Sequence, residues 1–241
     1  MGVFDEFEKD WENPKEVSPE VAEHLEGACL EPELVEVPEV GEVSVIGDPF
    51  GIGEKLEDNQ GHNFYNFQGD CGLVTVLNIL TMAGIDTSED EVVGRAIVMG
   101  RCRYSELNRP EDNGGTTVMD RKAMLETYGI SSTVMEGKSA GASPEALARY
   151  VAAGHGVNIS FNCGYAWDEP SCIGDGSVNH SVAVTGAAWD KDTGELKGLF
   201  VCDSGLTDRD SKVVFMSVDV LNEAYVNAPG SAALVTNEPI R

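Results

Sequence analysis

Cys71 is the residue of this chain best placed for covalent chemistry, because Phe67-Gln68-Gly69-Asp70-Cys71-Gly72 runs directly into Leu73-Val-Thr-Val-Leu-Asn-Ile-Leu80. Leu73, Val76, Leu77 and Leu80 recur at i, i+3, i+4 and i+7, the spacing of a helix with one buried face, and Gly84 is its stop signal. The thiol therefore stands at a helix N-terminus. Unpaired amides and the macrodipole there favour an anion and pull the thiol below its free value of about 8.5. A thiolate attacking a carbonyl also needs donors for the developing oxyanion. Gln68, three residues upstream, can offer its side-chain amide beside the Cys71 N–H, while Gly69 and Gly72 leave room for a substrate backbone.

Such a nucleophile needs a base, and the chain has four histidines. His24 lies in an acidic stretch, His62 in a Gly-Asn loop, and His155 in the Gly154-His-Gly156 turn. His180 is different: it opens the β-rich run HSVAVTG, and a second such run ends in Cys202-Asp203. Asp190-Lys-Asp-Thr193 followed by Gly194 is a good hairpin turn between them. If Trp189 pairs with Gly194, partner numbers sum to 383, and 383 − 180 places Asp203 opposite His180. A carboxylate there can hold one ring nitrogen while the other faces Cys71, the arrangement of a nucleophile, base and orienter. A slip of one residue would instead send the two side chains to opposite faces.

The remaining candidates do not assemble. Asp190-x-Asp192-x-Gly194 begins like a calcium loop, but its twelfth position is Val201, where a bidentate Glu is required. Cys163 and Cys172, nine residues apart with no second pair, lack zinc spacing, and so does any grouping with His155. Ser181 and Ser204 have no nucleophile-elbow motif around them. No metal and no cofactor is expected. The six cysteines form no CxxC pair and suggest no disulfide framework.

The positioning elements carry their own punctuation. Ser88-Glu-Asp-Glu91 is a capping box ahead of a helix that Gly100 stops. Thr116 or Thr117 opens a helix reaching Gly129, and Ser143-Pro144-Glu145 opens one that Gly154 ends. Beyond Gly154 the period changes: Gly156–Phe161, His180–Thr185, Gly198–Asp203, Lys212–Met216 and Ala232–Thr236 read as short strands. Helices first and strands later imply an α+β fold with a mainly antiparallel sheet.

In 241 residues, 42 acidic side chains oppose 16 basic ones, a net charge of −26. That field repels phosphate backbones and anionic membrane surfaces, so a nucleic-acid partner is not expected. No apolar run is long enough for a membrane span. No secretory signal is legible either, which leaves cytoplasmic residence or export without a visible signal. Residues 1–58 read as an acidic, proline-punctuated N-terminal extension: through residue 60 there are 18 Asp and Glu against three Lys, a net −15. Within it, Leu34 to Ile46 is Val-rich and suits an edge strand. The extension is expected either as a solvated charge run or as an arm lying over the cleft of the domain at 59–241.

Gln68-x-x-Cys71-Gly, the Gly115-Thr116-Thr117 helix start, the Gly154 turn into a strand, His180 in NHSVAVTG, and Asp203 after WDKDTGELKGLFVCD together resemble the papain-like cysteine peptidases. The similarity is to the branch related to bacteriocin-processing, double-glycine-leader peptidases and their stand-alone relatives, over roughly residues 60 to 240. The resemblance implies a nucleophile helix packed on an antiparallel sheet, Cys71 as nucleophile, His180 as general base and acid, Asp203 as orienter and Gln68 as oxyanion donor. It implies a peptide or protein substrate, whose peptide or isopeptide bond is hydrolysed through a thioester. Two departures stand out: Ser204 follows Asp203 where these peptidases often have proline, and no transporter segment is attached. Glutamine deamidation or acyl transfer would use the same residues, and a cleft without turnover would be a peptide-binding module.

Overall fold

The computed structural model describes residues 3–4, 8–9, 32–53, 55–56, 59–206 and 212–241. Ten strands make one sheet in which every described pairing is antiparallel: β1 (Val3–Phe4), β2 (Glu8–Lys9), β3 (Glu33–Val37), β4 (Gly41–Ile46), β5 (Ser132–Glu136), β6 (His155–Phe161), β7 (His180–Asp190), β8 (Leu196–Cys202), β9 (Val213–Ser217) and β10 (Ala232–Pro239). The helices are α1 (Pro49–Gly53), α2 (Cys71–Met82), α3 (Glu89–Met99), α4 (Val118–Glu126), α5 (Pro144–Ala152), α6 (Cys163–Ala166) and α7 (Val218–Leu221). The architecture is α+β.

Strand β7 organises the sheet. From Ala183 to Trp189 it pairs with β8, while its other edge is shared: the His180 end pairs with β6 and the Asp190 end pairs with β4. Eleven residues long and almost wholly buried, it packs against both α2 and α5.

Local signals set the helices that carry the site. In α4, the Thr117 hydroxyl accepts from the Asp120 amide and the Asp120 carboxylate accepts from the Thr117 amide, a complete capping box. Ser143 caps α5, with Pro144 at its first position. Ser88 caps α3 by accepting from the Glu91 amide, but the reciprocal bond differs from expectation: the Glu91 carboxylate takes the Thr87 hydroxyl. Gly100 closes α3 with φ +64°, a left-handed cap that a side chain would strain. Helix α2 departs from the one-faced helix that its spacing suggests, because Gly72 through Leu80 are all buried. It is a central helix. Leu73, Val76, Leu77 and Leu80 meet α3 and α4 in one apolar cluster, and the opposite side lies on β7.

The Val-rich stretch expected as an edge strand forms the hairpin β3–β4 instead. β4 is interior, paired with β3 on one side and β7 on the other, and Val35, Val37, Val43 and Val45 share a cluster with Ala188, Phe200 and Phe215. Alternating Val with Glu buries one face of β3 while its charges stay outside, so the acidity did not prevent pairing. Residues 10–31 of the acidic extension, with His24 and Cys29, lie outside the described residues.

Candidate functional site

The thiol, the imidazole and the carboxylate singled out in the sequence come together at one end of β7. Cys71 is the first residue of α2, His180 the first of β7, and Asp203 follows β8 directly. His180 Nε2 lies 2.7 Å from Asp203 Oδ1, which also accepts from the Gly205 amide at 2.8 Å. On its other side the ring stands near enough to the Cys71 thiol for each to shift the other's charge, and the Phe161 ring stacks edge-on at 5.5 Å. Thr75 Oγ1 fixes the helix against the strand, 2.8 Å from the Cys71 carbonyl and 3.1 Å from the Ser181 carbonyl. The three groups are therefore held by a buried helix, a long strand and a loop anchored on the next strand.

The hairpin arithmetic was out by two residues, and the facing survived. Asp190, not Trp189, closes the turn, with its amide donating to Glu195 at 2.8 Å. Ala183 pairs with Cys202 and Trp189 with Leu196, so partners sum to 385 at both ends of the ladder. Between them the sum is 386, because one extra residue on β8 near Lys197 is offset by one on β7 near Thr185. A displacement of two preserves the face, and Asp203 reaches the ring from a diagonal position.

The thiol and the imidazole each push the other toward its charged form. Burial alone would push the Cys71 thiol up, but the His180 ring, by charge and hydrogen bond, and then the Arg121 guanidinium bring it below the ordinary value. Burial would lower His180, yet Asp203 and Cys71 raise it well above 6.5. Asp203, 1% exposed, is held below the usual carboxylate range because the His180 ring outweighs its burial. Two other thiols go the opposite way: burial pushes Cys102 up to about 11 and also raises Cys163.

A cleft of about 400 Å³ opens at this point, with Cys71, His180, Arg121, Asn179, Thr116 and Gly230 in its wall. The Asn179 side chain shapes one side, accepting from the Cys163 amide at 2.9 Å and donating to the Cys172 carbonyl at 2.6 Å. Trp167 packs edge-on against Phe161. Gln68 is exposed, and its main chain is fixed by Pro110, which accepts from its amide at 3.0 Å, and by Gln60, which donates to its carbonyl at 3.0 Å. The Gln60 amide also donates to the Ser204 carbonyl at 3.2 Å, so this residue ties the Gln68 segment to the Asp203 loop. Nothing local in the sequence distinguishes it.

His62 is exposed and His155 Nδ1 lies 2.7 Å from the Thr236 carbonyl, neither of them at the cleft. Among the described residues no three His, Cys, Asp or Glu side chains gather as a metal would require, and no helix is long and apolar enough to cross a membrane.

Sequence reasoning missed the group directly behind the thiol. Asp70 is fully buried; its Oδ1 accepts from the Gly61 amide at 3.2 Å, and Asn63 Nδ2 stands 3.1 Å from its Oδ2 and 2.8 Å from Glu89 Oε1. Burial first, then the Glu89 carboxyl, push Asp70 up to about 8. An acid that holds its proton more tightly when folded contributes stability below its unfolded value near 3.8 and loses it as pH rises through about 8. Asp70→Asn, which keeps an acceptor for Gly61 and removes the titration, should therefore gain on the wild type between pH 5 and pH 9. Thermal melts at both pH values should show the difference in Tm moving toward the variant by several degrees, about 2–4 °C per kcal/mol at this chain length. A pH-independent difference would refute it.

No family model matches the chain. The uncharacterized proteins Rv1268c of Mycobacterium tuberculosis (strain ATCC 25618 / H37Rv) and Mb1299c of Mycobacterium bovis (strain ATCC BAA-935 / AF2122/97) are each 25% identical to it over 186 residues, covering 69% of this chain and 77% of theirs. Among solved structures, the crystal structure of a double glycine motif protease from an AMS/PCAT transporter, in complex with the leader peptide, is similar with a TM-score of 0.41. Identity is 14%, covering 70% of this chain and 84% of that one.

Proposed function

We propose that the protein is a papain-like cysteine peptidase, a thiol-dependent hydrolase that cleaves a peptide or isopeptide bond with Cys71, His180 and Asp203. The observation that carries the reading is His180 held between the Cys71 thiol and the buried Asp203 carboxylate at the wall of an open cleft. In this reading the Cys71 sulfur attacks the scissile carbonyl carbon. The carbonyl electrons move onto oxygen, which the Cys71 N–H, free of any intrahelical partner in the first turn, and the Gln68 side-chain amide receive. The imidazolium gives its proton to the leaving amine as the carbon–nitrogen bond breaks, leaving a thioester. Water then adds to that carbon while His180 takes its proton, and the carbon–sulfur bond breaks to release the carboxylate and restore the thiolate–imidazolium pair. Asp203 holds Nε2 throughout, so Nδ1 stays aimed at the sulfur.

The test is selective labelling. At pH 6, iodoacetamide should modify Cys71 at least ten-fold faster than Cys102 or Cys163, since a thiol at the ordinary value is under 1% ionised there. A peptide bearing an electrophilic epoxide should label Cys71 in the same way, with the site read by peptide mapping. Equal modification of the accessible cysteines would overturn the proposal.

A further inference from the structure

Arg121 is a buried cation in an unusual place. It is 4% exposed, and burial lowers it to about 10. Among the described residues its three hydrogen-bond partners are neutral: Nε donates to Asn158 Oδ1 at 2.9 Å, Nη1 to Thr116 Oγ1 at 3.3 Å, and Nη2 to Ser160 Oγ. It also lies against the first turn of α2, since a Cβ added to Gly72 would stand 3.1 Å from Nη1. That is the positive end of a helix dipole, where a cation is disfavoured. Buried charges are ordinarily matched by an opposite one. The two anions that favour its charged form are Cys71 and Asp120, and Asp120 is already occupied with the Thr117 cap and Arg101.

We propose that Arg121 is the fixed counter-cation of the Cys71 sulfur, a positioning residue that holds the thiolate in place beside His180. The inference rests on the reading of Cys71 as the nucleophile. The guanidinium is itself held rigidly: Asn158, which accepts from it, donates to Ser181 Oγ at 2.7 Å and to the Val182 carbonyl at 2.9 Å, and Ser181 meets Thr75 of α2. One network thus locks Arg121 to the strand of His180 and the helix of Cys71 together. The ionisable groups that face Cys71 are His180 from β7, Arg121 from α4, Cys163 from α6 and its neighbour Asp70. Of these, Arg121, at about 10, is a cation through the neutral range that does not exchange its proton with the thiol, so it sustains the thiolate alongside the imidazole.

Alkylation of Cys71 by iodoacetamide is followed from pH 4 to pH 10 in the full chain as wild type, Arg121→Lys and Arg121→Gln. Arg121→Gln should move the midpoint up by about one pH unit, a ten-fold slower reaction on the acid side. Arg121→Lys, which keeps the charge, should retain most of the wild-type profile. An unchanged midpoint in folded Arg121→Gln overturns the inference and leaves the nucleophile reading intact. A wild-type Cys71 no more reactive than Cys102 overturns both. Should Arg121→Gln fail to fold, His180→Ala decides, because Arg121 is then the cation left on Cys71. Its ratio of iodoacetate to iodoacetamide rates at Cys71 should exceed that at Cys102, and a ratio no higher overturns the inference.

Discussion

Cys71→Ala should abolish turnover of any cleavable peptide, a loss of at least about 10⁴-fold, and His180→Ala should lose on the order of 10³-fold or more, both with the melting curve retained. Asp203→Asn should fall far less, by about 10- to 100-fold. An amide oxygen can still accept from Nε2–H at the 2.7 Å position, keeping the ring turned toward the sulfur, but the charge that raises His180 is gone. The pH dependence should separate these effects. On the proposed reading the working pair exists between the lowered Cys71 value and the raised His180 value, so activity should climb as the thiol ionises and decline as the imidazolium loses its proton. In Asp203→Asn the alkaline limb should move down in pH. Stability has the same sign for His180: its raised value contributes below about 6.5 and is lost as pH rises through the folded value. Full activity in His180→Ala would end the assignment, since His62 and His155 both lie away from the cleft.

What could be read along the chain was whatever is settled by neighbours in sequence. The helix start at Cys71, the caps at Ser88, Thr117 and Ser143, and the glycine stops follow from groups a few residues apart, and they appear where expected. The meeting of His180 with Asp203 was legible for a weaker reason. The turn chemistry fixed which strands pair, and the two-residue period of facing tolerated an error that a one-residue slip would not have. What stayed hidden depends on contacts distant in sequence. Arg121 sits in the charged run Met119-Asp-Arg-Lys, and its contacts with β6 and α2 make it a buried charge. Asp70 looks like a turn residue until Glu89, 19 positions on, is brought against it. Strand β5 was missed because Ser132–Glu136 is short and only half-buried, and is held by its pairing with β10, a hundred residues away.

A chain starting at Asn59 should not fold. Composition let residues 1–58 read as a solvated charge run or an arm over the cleft, yet removing them strips Val35, Val37, Val43, Val45 and Ile46 from the core, all essentially inaccessible. At about 1.5–3 kcal/mol for each buried aliphatic side chain, the loss is on the order of 10 kcal/mol, comparable with the whole net stability of an ordinary domain. Phe200, Phe215 and Ala188 would be bared in the same step, and the Ala187–Asp190 edge of β7 would present unpaired amides and carbonyls to other chains. The damage would reach the site, because the strand that loses β4 at one end carries His180 at the other, and its partner β8 leads to Asp203. The expected result is an aggregated product without a cooperative melt and without selective Cys71 labelling at pH 6. Val45→Asp in the full chain, one buried charge in the same cluster, should destabilise in the same direction while leaving every residue of the cleft in place. A soluble chain from Asn59 that melts at the wild-type temperature would show instead that the hairpin is an attachment and that β7 needs only β6 and β8 to hold His180 in register.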